Sequence, residues 1–307
     1  MNRNQTIKKY HKLIEFIFYS NYFYGICAVA LSVEAMLQQR APLNSLWYFF
    51  LIFITTVLYY AYPYIRKSSL SSNPRTNWYT LYYNFMRWNQ ITITIILVIA
   101  LILFLFDYRK VLLNMQLTEW LLIFIFPLAA ALYYGATSLL GKYNLRKTGW
   151  LKPFVIGFTW AGLVTVYPVL FYDIINKLNY KLTQVGALLF VKNFMFVTVL
   201  CIMFDIKDYA TDYINRLKTF VVKIGLRKTI FYILLPLSVI GLTSFIYYAV
   251  AHEFQLIKIL LNTVPFVLLL IVIWSFHKRR SLIYYLAIVD GLMLVKAVCG
   301  SIAMIYF

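Results

Sequence analysis

Carboxylates are scarce in this sequence. Asp and Glu together number 10 in 307 residues, against 29 Lys and Arg, and no acid occurs between Glu34 and Asp107. Cysteine is scarcer still: Cys27, Cys201 and Cys299 each fall inside an apolar run without paired spacing, which argues against a disulfide framework or a zinc site. His11, His252 and His277 are too scattered to ligate a metal together. Neither a nucleophile–base pair nor a glycine-rich phosphate loop is evident. Charged residues make up only 13% of the chain and hydrophobic ones 63%, with a mean hydropathy of +0.75, values that exclude a soluble globular domain.

What the sequence has instead is a succession of long apolar runs, near 13–36, 45–65, 89–108, 117–139, 153–172, 185–204, 228–250, 257–276 and 281–306. Each is long enough to cross about 30 Å of hydrocarbon, so the expectation is an all-α, polytopic membrane helix bundle of nine transmembrane helices. The first run follows Arg3, Lys8, Lys9 and Lys12, as a signal peptide does, but it is too long for a signal h-region and lacks a small-residue cleavage site. It reads as the first span. A net charge of +19 is compatible with nucleic-acid binding, yet the cations sit in short loops between the runs, where membrane topology explains them without nucleic acid. With the N-terminus cytoplasmic, 21 of the 29 Lys and Arg fall on cytoplasmic segments, six on outer ones and two within spans. That bias puts the N-terminus inside and, with nine crossings, the C-terminus on the opposite side.

Three of the six Asp residues fall within eight positions, Asp205, Asp208 and Asp212. On a helix they occupy a roughly 60° arc of one face. Three adjacent carboxylates repel one another unless a cation lies between them, and hard oxygen donors at this spacing suit Mg²⁺, which usually completes its shell with waters and substrate phosphates. The plain alternative is a solvated helix face. Against it, the cluster directly follows an apolar run and is interleaved with Lys207, Arg216, Lys218 and Lys223, cations able to grip a diphosphate.

The Asp-x-x-Asp-x-x-x-Asp spacing, the preceding Phe204, and the tail Leu217-Lys218-Thr219 followed by apolar residues, Lys223 and Gly225 resemble the second aspartate-rich motif of the UbiA superfamily of intramembrane prenyltransferases. The stretch from Tyr133 through Gly141, Lys142, Arg146, Lys147, Trp150 and Lys152 looks like that family's connection between its fourth and fifth spans. The resemblance implies a single domain over 1–307, with helices around a central cavity capped by cytoplasmic loops at about 66–88 and 205–227. It implies Mg²⁺ on Asp205, Asp208 and Asp212 and a polyprenyl diphosphate held by Lys142, Arg146, Lys147, Arg216 and Lys218. A lipophilic or aromatic acceptor, such as a quinone precursor, would be alkylated.

The sequence departs from that family at the end of the second span. Where relatives carry a first aspartate motif, this chain reads Tyr59-Tyr60-Ala61-Tyr62-Pro63-Tyr64-Ile65-Arg66-Lys67. Three readings follow. Arg66 and Lys67 replace a second metal's charge, the site ionises a diphosphate for cyclisation as a UbiA-type terpene cyclase does, or the chain is a non-catalytic lipid-binding protein or transporter. Ionisation would leave a carbocation, which aromatic faces stabilise. Tyr59, Tyr60 and Tyr62, with Asn21 and Asn89, are candidate cavity-lining residues; an interfacial aromatic belt and helix–helix hydrogen bonding are the alternatives. Asp290 lies within the ninth run and is expected to make a structural ion pair with a lysine of another span, Lys192 being the candidate.

Overall fold

The computed structural model describes residues 12–64, 73–134, 149–214, 216–251, 253–278 and 280–307, and among them every regular element is helical. Among the described residues seven helices are long and apolar enough to cross a membrane, and eight if a bent pair at the N-terminus counts as one span. The chain is an integral, multi-pass membrane protein. The run expected at 117–139 is helical from Leu117 to Tyr134, with a shorter apolar stretch of Leu117–Leu132; residues 135–139 lie outside those described. Contacts gather the chain into two units, Met1–Val29 with Asn44–Asn114, and Ala30–Leu43 with Met115–Phe307.

In the first unit the expected first span is broken. Helix α1 (Lys12–Tyr19) meets α2 (Tyr22–Gln38) at an angle of 61°. The break falls at Ser20-Asn21, where Asn21 adopts φ 72°, a left-handed conformation that Asn tolerates better than most residues. Arg75, on the short helix α4 (Pro74–Leu81), secures it: Nε donates to the Tyr19 carbonyl at 3.1 Å, Nη2 to that of Phe18 at 3.2 Å, and the guanidinium also bonds Asn21 Oδ1. A cation thus satisfies the last carbonyls of α1, where the helix dipole favours positive charge. Helix α3 (Leu46–Tyr64) packs on α5 (Tyr83–Asp107) through Ile54, Val57 and Ile93, flanked by Tyr22, Phe53 and Leu97. Much of α5's remaining apolar surface, including Ile95, Ile99 and Leu103, is exposed, as lipid contact requires. A short helix, α6 (Arg109–Leu113), closes the unit.

The second unit contains α7 (Leu117–Tyr134), α8 (Lys152–Ile175), α9 (Gln184–Ile214), the short α10 (Phe220–Ile224), α11 (Leu226–Val250), α12 (Leu256–Trp274) and α13 (Leu282–Tyr306). Helix α8 lies along α9 and also against α7, while α12 packs on α13. Two of the three widened, π-helical turns, Gly162–Val166 and Ile230–Leu234, stand just before Pro168 and Pro236. A proline cannot donate to the carbonyl four residues back and its ring crowds it, so one wider turn lets the span continue. Glu119 closes the start of α7 by accepting the Gln116 N–H, and its other oxygen takes the Tyr180 N–H, each at 2.9 Å. One buried carboxylate thereby ties α7 to the α8–α9 connection.

Candidate functional site

The aspartate cluster is helical. Helix α9 runs ten residues past the expected end of its span, so that Asp205, Asp208 and Asp212 occupy its last turns. The helix ends in a Schellman motif: Leu217 N–H reaches the Asp212 carbonyl at 2.9 Å and Arg216 N–H that of Tyr213 at 3.1 Å, with Arg216 at φ 54°. The second cap loop expected at 205–227 therefore holds the continued end of α9, the short helix Phe220–Ile224 and the start of the helix from Leu226. Thr219 accepts the Val222 N–H at 3.4 Å to start α10, and Gly225, at φ +86°, separates α10 from α11.

The three carboxylates are not equivalent. Asp205 is fully buried and Asp212 is 6% exposed, whereas the Asp208 side chain is 39% exposed and pairs with its neighbour Lys207, Nζ to Oδ1 2.6 Å. Asp205 Oδ1 is held by Lys152 Nζ at 2.9 Å. Lys152 opens α8 immediately after the tight approach of Gly149 to the chain at Lys218-Thr219, where a Cβ would stand 2.6 Å from the Thr219 nitrogen. Phe154 and Phe220 meet edge to face with centroids 6.1 Å apart, and Phe204 touches Tyr285 of α13 at 5.6 Å. The start of α8, the end of α9 and the Thr219 turn thus form one locus. In it, Asp205 Oδ2 and Asp212 Oδ2 are buried without a hydrogen-bond partner among the described residues.

Unpaired buried carboxylate oxygens are costly, and two on one helical face are suitable ligands for a hard cation. Mg²⁺ is commonly held by one or two carboxylates, with substrate phosphates completing the shell, so Asp205 and Asp212 fit that role better than Asp208. Among the described residues no three His, Cys, Asp or Glu side chains are drawn together as a metal cluster, and Lys152 and Lys207 each engage one carboxylate.

Of the expected diphosphate-binding cations, Arg216 and Lys218 are exposed beside the end of α9. Arg66, Lys67, Lys142, Arg146 and Lys147 lie outside the described residues. Lys152, which the resemblance places in the basic connection but not among the named diphosphate ligands, is the cation at the first turn of its span that meets Asp205.

The expected cavity-lining residues belong to the first unit. Asn21 is fully buried and donates to Tyr79 Oη at 2.8 Å, serving the helix break. Burial raises the Tyr79 phenol above its ordinary pKa, with Arg75 opposing the shift. Tyr60 stacks on Tyr24 at 4.4 Å and Tyr59 meets Tyr60 edge to face at 5.6 Å, while Tyr62 is exposed. Asn89 accepts from Tyr22 Oη at 3.1 Å, leaving its buried Nδ2 without a partner among the described residues.

The expected pairing of Lys192 with Asp290 is not formed. Lys192 donates to Asn262 Oδ1 at 3.1 Å, and an intramembrane ion pair joins Lys296 Nζ to Glu34 Oε2 at 2.6 Å instead. The geometry explains the exchange: Glu34 on α2 is opposite Lys296 on α13, a partnership between residues 262 positions apart that no local spacing reveals.

No family model matches this sequence, and comparison with curated proteins and with solved structures finds no match either.

Proposed function

We propose that this protein is an Mg²⁺-dependent intramembrane prenyltransferase of the UbiA type, acting on a polyprenyl diphosphate at the end of α9. The observation that carries the reading is the pair of buried oxygens of Asp205 and Asp212 that have no hydrogen-bond partner among the described residues, on one helical face beside Lys152. Nine crossings with the aspartate end and the N-terminus cytoplasmic and the C-terminus opposite agree with the bias of 21 cations to six.

On this reading Asp205 and Asp212 hold the metal and Asp208 stands at the mouth, drawn toward Lys207. Bound Mg²⁺ would neutralise charge on the departing diphosphate. Arg216 and Lys218 meet the same anion from the Thr219 turn, and Lys142, Arg146 and Lys147 of the basic sequence before α8 are further candidates for it. Ionisation breaks the allylic C–O bond, its electron pair leaving on the diphosphate. The allylic cation is then attacked by the acceptor's ring carbon, which loses its proton to the diphosphate or solvent. Aromatic faces stabilise the cation without offering a nucleophile.

The test is product analysis with farnesyl and geranylgeranyl diphosphate, in Mg²⁺ or EDTA, with and without an aromatic acid or quinone precursor. Metal-dependent prenylation of the acceptor is the expected result. Hydrocarbon or alcohol without acceptor would assign a terpene cyclase, the reading favoured by the missing first motif. Absence of diphosphate release would assign a lipid-binding or transport protein.

A further inference from the structure

A second polar cluster lies in the second unit, within the membrane-spanning helices and remote from Asp205. Glu34 and Lys296 are 0% and 2% exposed and form an ion pair of 2.6 Å. The other Glu34 oxygen accepts from Gln38 Nε2 at 2.7 Å, so the carboxylate is fully engaged, in space left by Gly300, where a Cβ would stand 2.7 Å from Glu34 Cγ. Gln38 Nε2 also lies 3.4 Å from Asn262 Oδ1, the atom that accepts from Lys192 Nζ at 3.1 Å. Lys192 Nζ sits 4.6 Å from the centroid of the Phe245 ring. The cluster therefore holds two lysines and one carboxylate. Among the described residues no acid pairs with Lys192, whose amine meets only an amide oxygen and an aromatic face.

A cation within a span is costly and marks function by default. Snorkelling does not account for this one, since its ammonium is turned to Asn262 and Phe245. Nor does the aspartate site use it: thirteen residues of helix, about 20 Å, separate Lys192 from Asp205. We propose that Lys192 anchors a second, intramembrane site for a monoanionic lipophilic ligand, a carboxylate of fatty or aromatic type. A carboxylic acid entering beside this amine pairs with it one to one, whereas a diphosphate carries more negative charge than one lysine can balance. An aromatic face beside the ammonium and apolar spans around it select an apolar body. Lys296 and Glu34 set the charge balance without touching the ligand themselves.

This inference is independent of the prenyltransferase reading and is tested without turnover. The full-length protein in nanodiscs of zwitterionic lipid is titrated with oleate and with 1-naphthoate, and in parallel with oleyl alcohol. Saturable binding of at least one acid, absent for the alcohol, is expected; which acid binds distinguishes a leaflet fatty acid from an aromatic one. Lys192→Gln should weaken that binding tenfold or more, and Lys192→Arg should retain it. Thermal melts separate this from a structural role: Lys192→Gln removes a lysine amine that has no acid partner among the described residues and should melt no lower than wild type, whereas Lys296→Gln strands Glu34 and should melt lower. Equal binding of acid and alcohol, no saturable binding of either acid, or acid affinity unchanged in Lys192→Gln would overturn the proposal.

Discussion

Lys152 Nζ stands 2.9 Å from Asp205 Oδ1, joining the first turn of α8 to the fully buried carboxylate of α9. This pair fixes the aspartate helix against the basic end of the neighbouring span while leaving the second Asp205 oxygen open. Lys152→Gln would leave Asp205 buried without its countercharge. A hydrogen bond to a charged group contributes about 1.5–3 kcal/mol, and a thermal or urea melt in detergent should show a loss of that order. Lys218→Gln, at an exposed position, should be nearly neutral in the same melt and reduce only diphosphate affinity.

The inequality of the three aspartates gives a ranking. Asp212→Asn should lower Mg²⁺-dependent binding of a prenyl diphosphate at least tenfold, because a buried, open oxygen is removed. Asp208→Ala, at the exposed position paired with Lys207, should reduce it only a few-fold. Titration of each variant against Mg²⁺ checks the order, and a larger loss for Asp208→Ala than for Asp212→Asn would reverse the assignment.

Arg75 holds the 61° break between α1 and α2. Arg75→Lys keeps the charge but not the planar fork that reaches two carbonyls and Asn21 together. Both Arg75→Lys and Arg75→Ala should destabilise the protein, the latter by about 3 kcal/mol as several charge-assisted hydrogen bonds are lost. Hydrogen exchange of the amides around residues 16–24 should rise in both.

Lys177 closes α8 in the left-handed region, φ 57°, with Leu178 N–H on the Asp173 carbonyl at 2.8 Å and Lys177 N–H on that of Ile174 at 3.2 Å. A side chain there costs roughly 1–2 kcal/mol relative to glycine. Lys177→Gly should raise the melting temperature without altering diphosphate binding; a lower melting temperature would show that the lysine side chain contributes more than the strain it imposes.

The helical character and seven or eight of the nine expected spans were legible in the sequence because apolar length is a direct statement about crossing hydrocarbon. So was the common face of Asp205, Asp208 and Asp212, since 3.6-residue periodicity acts locally. The break at Ser20-Asn21 was not, for it contains neither Pro nor Gly and depends on an arginine 54 residues away in the chain. Long-range pairing was equally hidden. Lys152 meets Asp205 across 53 positions and Lys296 meets Glu34 across 262, and with several intramembrane lysines available, only packing decides which carboxylate each one takes. Burial separated Asp205 and Asp212 from Asp208, a distinction that spacing alone does not make.

The most direct measurement is equilibrium binding of geranylgeranyl diphosphate to the purified protein in nanodiscs, in Mg²⁺ and in EDTA, for wild type and Asp205→Asn. The account predicts saturable binding that requires Mg²⁺ and is lost in the variant. Binding that persists unchanged in EDTA, or in Asp205→Asn with the same Mg²⁺ dependence as wild type, would contradict it.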